Sequence, residues 1–111
     1  MAVQEGSRRT LDLLQGRLDF AALGGIAAAY QVSPQTVVVE TKEGREIRIT
    51  AKRDLSTAAF VSEYERRIAV TSGGTAYHVW SRTGAYPTCR ADDVDACLET
   101  AIQEVSRLPV R

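Results

Sequence analysis

Histidine is nearly absent from this chain: His78 is the only one in 111 residues. A single imidazole, set between Tyr77 and Val79, cannot supply the nucleophile, base and orienting group that a Ser/His/Asp or Cys/His site brings together. Cysteine is scarce too. Cys89 and Cys97 stand eight residues apart, a spacing that fits no usual zinc pattern, and one histidine cannot complete a four-ligand set without distant carboxylates. Count alone allows a disulfide, but Cys97 falls on the apolar stripe of an expected helix, which favours free thiols in a reducing compartment. Cys89, in a loop beside Arg90, is expected to be exposed. Long hydrophobic runs are missing as well. The longest, residues 20–30, is too short to span a bilayer, and the first ten residues lack the basic-then-apolar order of a signal peptide. These absences lead to the expectation of a cytoplasmic, non-enzymatic protein with no catalytic residues, metal, cofactor or membrane association.

Net charge is also lacking, because fourteen basic residues balance fourteen acidic ones. The molecule therefore generates no global field to draw in nucleic acid or an anionic membrane. Lysine occurs only at positions 42 and 52, so twelve of the basic residues are arginine. That bias reads either as codon usage or as a supply of bidentate anion contacts, and codon usage is the simpler account. The carboxylate pairs Glu63/Glu65 and Asp92/Asp93 fit wet strand positions and helix-start charges. Ser72-Gly73-Gly74 lacks the glycine spacing and lysine of a phosphate loop. Apolar residues at 44% and charged residues at 25% are ordinary globular values for one domain with its own core.

What is present is a sheet. In residues 36–52, Val37, Val38 and Val39 are β-branched and suit a pleated surface. Ile47, Ile49 and Ala51 then alternate with Glu46, Arg48, Thr50 and Lys52 at a period of two. Lys42-Glu43-Gly44-Arg45 is a short polar connection in which Gly44 can take a positive φ. A hairpin follows, with its first strand apolar on both faces and lying deep, and its second wet on one face. Residues 57–70 admit two readings. As a helix they align Phe60, Val61, Tyr64 and Ile68 and pair Glu63 with Arg67; as a strand they alternate Phe60, Ser62, Tyr64, Arg66, Ile68 and Val70 with Val61, Glu63, Glu65, Arg67 and Ala69. The strand is preferred. Ser72-Gly73-Gly74 signals a turn into residues 75–81, which are rich in strand formers.

Helices are expected before and after this sheet along the chain. Residues 7–15 carry Leu11 and Leu14 in line with Leu18, with Ser7 as a candidate N-cap. A second helix begins after Asp19 and runs to Gln31, where Gly24 and Gly25 either break it or let another backbone approach; close approach is preferred. After a loop over residues 82–90, a C-terminal helix starts at a capping-box-like Asp92/Asp95 pair. It carries Val94, Cys97, Leu98, Ala101, Ile102, Val105 and Leu108 as one apolar stripe. The fold class is therefore α+β in a single domain spanning residues 1–111. It comprises a helical segment over 1–31, a four-stranded antiparallel β-meander over 36–82, and an amphipathic helix over 91–108 packed on the sheet.

Residues 26–37, IAAAYQVSPQTV, resemble the centre of a helix-turn-helix as found in bacterial repressors. That resemblance would make Ser33 the cap and Pro34 the first residue of a recognition helix within residues 20–41. Gln31 stands where such a motif usually has glycine, and Glu40 where it buries an aliphatic. A second nucleic-acid reading places the rings of Tyr64, Tyr77 and Trp80 beside Arg48, Lys52 and Arg66 on a sheet face, although acidic residues are interleaved. The preferred expectation is binding to a second copy, as a dimer, or to a protein partner. The surface assigned to it comprises Arg48, Lys52, Tyr64, Arg66, Tyr77, His78 and Trp80, with strand 75–81 as a candidate sheet edge. Nucleic acid is the alternative partner.

Overall fold

The computed structural model describes residues 25–107. The helix expected over 7–15, the first part of the second helix and Leu108 lie outside the described residues. Six strands occur in chain order before one helix: β1 Ile26–Ser33, β2 Thr36–Thr41, β3 Glu46–Arg53, β4 Phe60–Ser72, β5 Thr75–Arg82, β6 Arg90–Ala91 and α1 Val94–Arg107. Strands β1 to β5 form an antiparallel meander in sequential order, and the two-residue β6 pairs with the start of β4.

The hairpin over residues 36–52 forms as its pattern predicts. β2 and β3 pair with Val37 opposite Ile49 and Val39 opposite Ile47, and all four side chains are fully buried. Gly44 makes the turn at φ +91°, donating its N–H to the Thr41 carbonyl at 2.9 Å. Residues 60–72 are a strand, as preferred. It turns through Gly73 (φ +59°) and Gly74 (φ +81°), the paired positive φ values of a two-residue hairpin loop matched to strand twist.

Three expectations are corrected. Residues 26–33 are a strand and not the end of a helix, so the sheet has a fifth meander strand. Residues 36–41 are the next strand, and the helix-turn-helix resemblance fails with them. Alanine-rich sequence favours a helix locally, but tertiary context overrides it here. Ala29 pairs with Val39 and is buried in the same core cluster as the apolar residues of α1. Gly25 lies so close to the end of α1 that a Cβ there would collide with the Ser106 carbonyl oxygen, and its N–H donates to Ser106 Oγ at 3.3 Å. The close backbone approach expected at the glycines is therefore present at Gly25, against a strand-to-helix contact. The cap of α1 is Asp93, whose Oδ1 accepts the Ala96 N–H at 2.7 Å; the expected cap, Asp92, is one residue early.

One face of the sheet carries the core. Cys97, Leu98, Ala101, Ile102 and Val105 of α1 press on Val37, Val39, Ile47, Ile49, Ala51 and Tyr64. The other face is laced by ion pairs across the strands: Arg48–Glu65 at 2.8 Å, Arg67–Glu46 at 2.7 Å, and Glu63 shared by Lys52 at 3.7 Å and Arg82 at 3.3 Å. Each of these surface pairs stabilises by no more than about 1 kcal/mol, so the apolar face dominates the energetics. Truncating Ile49 to alanine is expected to cost about 2–5 kcal/mol in urea unfolding. The same change at Leu55, 91% exposed on the β3–β4 loop, should move stability by less than about 0.5 kcal/mol.

Candidate functional site: the β4–β5 arm

Strand β4 is longer than either neighbour can cover. β3 pairs with it only from Phe60 to Arg66, while β5 pairs from Glu65 to Ser72 without a bulge. Beyond Arg66, the second half of β4 and the part of β5 from Thr75 to Trp80 therefore project as a two-stranded arm. The Thr83 N–H donates to the Tyr64 carbonyl at 3.0 Å, which makes 64/83 a bonded pair. Alternation along an antiparallel ladder then makes 66/81, 68/79, 70/77 and 72/75 the other bonded pairs. The N–H and C=O groups of Ala76, His78, Trp80 and Arg82 consequently point away from β4, along an edge that no other described strand occupies.

The two edges of the sheet differ. β1 has register irregularities between Ile26 and Ala28 and between Gln31 and Ser33, and Pro34 follows it. Bulges and proline are the ordinary means of blocking strand addition. β5 has neither, and no Asp, Glu, Lys or Arg occurs from Ile68 to Ser81. Thr75 to Val79 are all exposed. Cross-strand register puts Ile68 opposite Val79 and Val70 opposite Tyr77. These four side chains continue the core face of the sheet beyond the residues packed on α1; Tyr77 is 45% and Val79 36% exposed.

The seven residues expected to form an interaction surface do not share one. Strand alternation places Arg48, Lys52, His78 and Trp80 on the ion-paired face, and Tyr64, Arg66 and Tyr77 on the face of α1. Tyr64 is core, 4% exposed, with its ring 5.3 Å from that of Tyr86. Trp80 lies beneath the Arg48 guanidinium at 4.8 Å. Arg48 and Lys52 are held by carboxylates, and Arg66 is exposed with no acidic partner among the described residues. A row of rings beside unpaired cations is therefore not assembled. Ile68 and Val70 belong to the arm surface although composition does not single them out. Their signal is register, which Gly73-Gly74 fixes against Tyr77 and Val79.

His78 and Cys89 do not meet. His78 is exposed on the arm, whereas Cys89 is buried rather than exposed as its loop position suggests. The Cys89 N–H donates to Ser62 Oγ at 2.8 Å, Ser62 donates to the Tyr64 phenol at 3.2 Å, and Tyr64 donates to the Pro87 carbonyl at 2.8 Å. This chain of bonds holds the 87–89 segment against β4 and draws Cys89 inward. Burial pushes the Tyr64 phenol upward. It also pushes the Cys97 thiol up to about 11, with Cys89 and Asp93 adding to the shift. Asp54 is held well below the usual carboxylate range, chiefly by Arg90 at 2.8 Å and then by Ser56. The buried Tyr86 hydroxyl has no hydrogen-bond partner among the described residues. A shallow hollow of about 320 Å³ at the foot of the arm is lined by Gly44, Arg45, Glu46, Arg67 and His78 among others.

Among the described residues no group of three or more His, Cys, Asp or Glu side chains is placed to hold a metal ion, and no helix is long and apolar enough to cross a membrane. Comparison with protein-family models, with curated proteins and with solved structures finds no match.

Three measurements check this geometry. Both thiols should resist a disulfide-exchange reagent in native protein at neutral pH and react on unfolding. Because the Cys97 thiol is raised in the folded state, its contribution is fully present below pH about 9 and drains as pH rises through about 11. Urea midpoints should fall over that window, with a shallower slope in Cys97→Ala. Tyr86→Phe removes an unpaired buried hydroxyl and should leave stability unchanged or raise it by up to about 1 kcal/mol; a clear loss would show that the hydroxyl is bonded.

Proposed function

We propose that this chain is a non-enzymatic module that self-associates through the edge of β5 and the apolar face of the arm. The observation that carries the reading is the edge itself: eight residues in regular register with β4, with neither bulge nor proline, and without Asp, Glu, Lys or Arg before Arg82. An unbulged, uncharged, exposed edge is a template for strand addition. The protected β1 edge in the same sheet argues that openness at β5 is a property of that strand and not of the fold. Surface chemistry supports a protein partner over nucleic acid. The basic side chains on the strands around the arm, apart from Arg66, are matched by acids or, like Arg53 on Phe60, stacked on a ring, and phosphate binding needs free cations that displace the counterions condensed on the nucleic acid.

The test is light scattering over a concentration series. Wild-type protein should show a dimer that persists in high salt, and Val79→Lys, which places a charge at the centre of the edge, should weaken association by at least about tenfold. A wild-type monomer at every concentration contradicts the reading. Steeply salt-dependent affinity for labelled single- or double-stranded DNA would instead favour the nucleic-acid alternative.

A further inference from the structure

Resting on the self-association just described, we propose that the partner is β5 of a second copy, added antiparallel with the two-fold axis at His78. A symmetric dimer requires an isologous contact, so an antiparallel pair of identical strands is fixed by which residue lies on the axis. The outward row of Ala76, His78, Trp80 and Arg82 supplies the N–H and C=O groups, and an axis at His78 makes His78 bond its own counterpart.

Side-chain complementarity selects this register. With the axis at His78, Tyr77 lies opposite Val79 of the second copy, twice by symmetry, and Thr75 lies opposite Ser81. Aromatic–β-branched and Thr–Ser pairs are among the favourable cross-strand combinations. On the other face Ala76 meets Trp80, a small residue against a large one. The apolar patch of each arm then becomes one strip, running Val70, Tyr77, Val79 and Ile68 across the axis. An axis at Val79 sets Tyr77 against Ser81 and Ala76 against Arg82, an axis at Tyr77 sets Trp80 against Gly74, and an axis at Trp80 sets His78 against Arg82. Each of those registers sets Tyr77 or Val79 against a serine or threonine, whereas the favoured one pairs them with each other and leaves Arg82 opposite Gly74 at its end.

The favoured register has a chemical consequence. Two imidazoles face each other on the axis with Cα atoms about 5.5 Å apart. Opposite His78 on β4 is Ala69, and the charged groups nearest along that face are Arg67, which is held by Glu46, and Arg45, which lines the same hollow. Like charges directly opposite are unfavourable in a sheet. A positive charge on the paired imidazoles would therefore weaken the dimer.

Cysteine cross-linking reads the register directly. His78→Cys places two thiols on the axis within disulfide reach, whereas Val79→Cys places them two residues out of register, about 8 Å apart and beyond it. The expected result on mild oxidation is a covalent dimer of the first variant and none of the second. Cross-linking of Val79→Cys in place of His78→Cys overturns the register while leaving self-association standing. Failure of both variants, with wild-type protein monomeric, overturns the reading beneath it.

Discussion

Strand β4 is thirteen residues long, and its two neighbours use different halves of it. That mismatch of lengths sets the rest of the molecule. The first half, paired with β3 and roofed by α1, is part of the core; Tyr64 there is sealed by Tyr86 and by the hydrogen bonds that run through Ser62 to Cys89 and Pro87. The second half has left β3 behind and, among the described strands, keeps only β5, so the same alternation that buries Tyr64 delivers Ile68 and Val70 to a face with no described helix over it. A two-stranded ribbon is marginal in water by itself. Here it is anchored by a continuous strand whose other end lies in the core.

The distribution of charge follows from that layout. Where the sheet is three or more strands wide, the face away from α1 is stitched by Arg48–Glu65, Lys52–Glu63–Arg82 and Arg67–Glu46. Along the arm this stitching stops, and the sequence from Ile68 to Ser81 holds no carboxylate, lysine or arginine. Charge on an edge strand is the usual defence against unwanted pairing. Its omission on β5, beside the bulges and Pro34 that guard β1, is the physical basis for the proposal that association uses the arm.

Much of the sheet was legible in the sequence. The valines of β2, the period of two in β3, Gly44 and the Gly73-Gly74 pair each act locally, so each could be read locally. Strand β1 was not legible, since Ala27, Ala28 and Ala29 favour a helix in isolation and become a strand only through β2 beside them and the end of α1 over Gly25. The proposed interaction surface was legible only in part. Tyr64 and Tyr77 are both strand tyrosines on the same face, and nothing in their immediate sequence separates the buried one from the exposed one. What separates them is where β3 and α1 end relative to β4, a relation among three elements. Cys89 illustrates the same limit: its loop neighbours imply exposure, but its backbone bond to Ser62 draws it inward.

The central claim is that the outward row of β5 is a pairing edge, and amide hydrogen exchange resolved by residue tests it most directly. The N–H groups of Tyr77 and Val79 bond to β4 and should be protected at any protein concentration. Those of Ala76, His78 and Trp80 should exchange freely in dilute solution and gain protection as concentration rises. Exchange at Ala76, His78 and Trp80 that stays fast and independent of concentration would contradict the account.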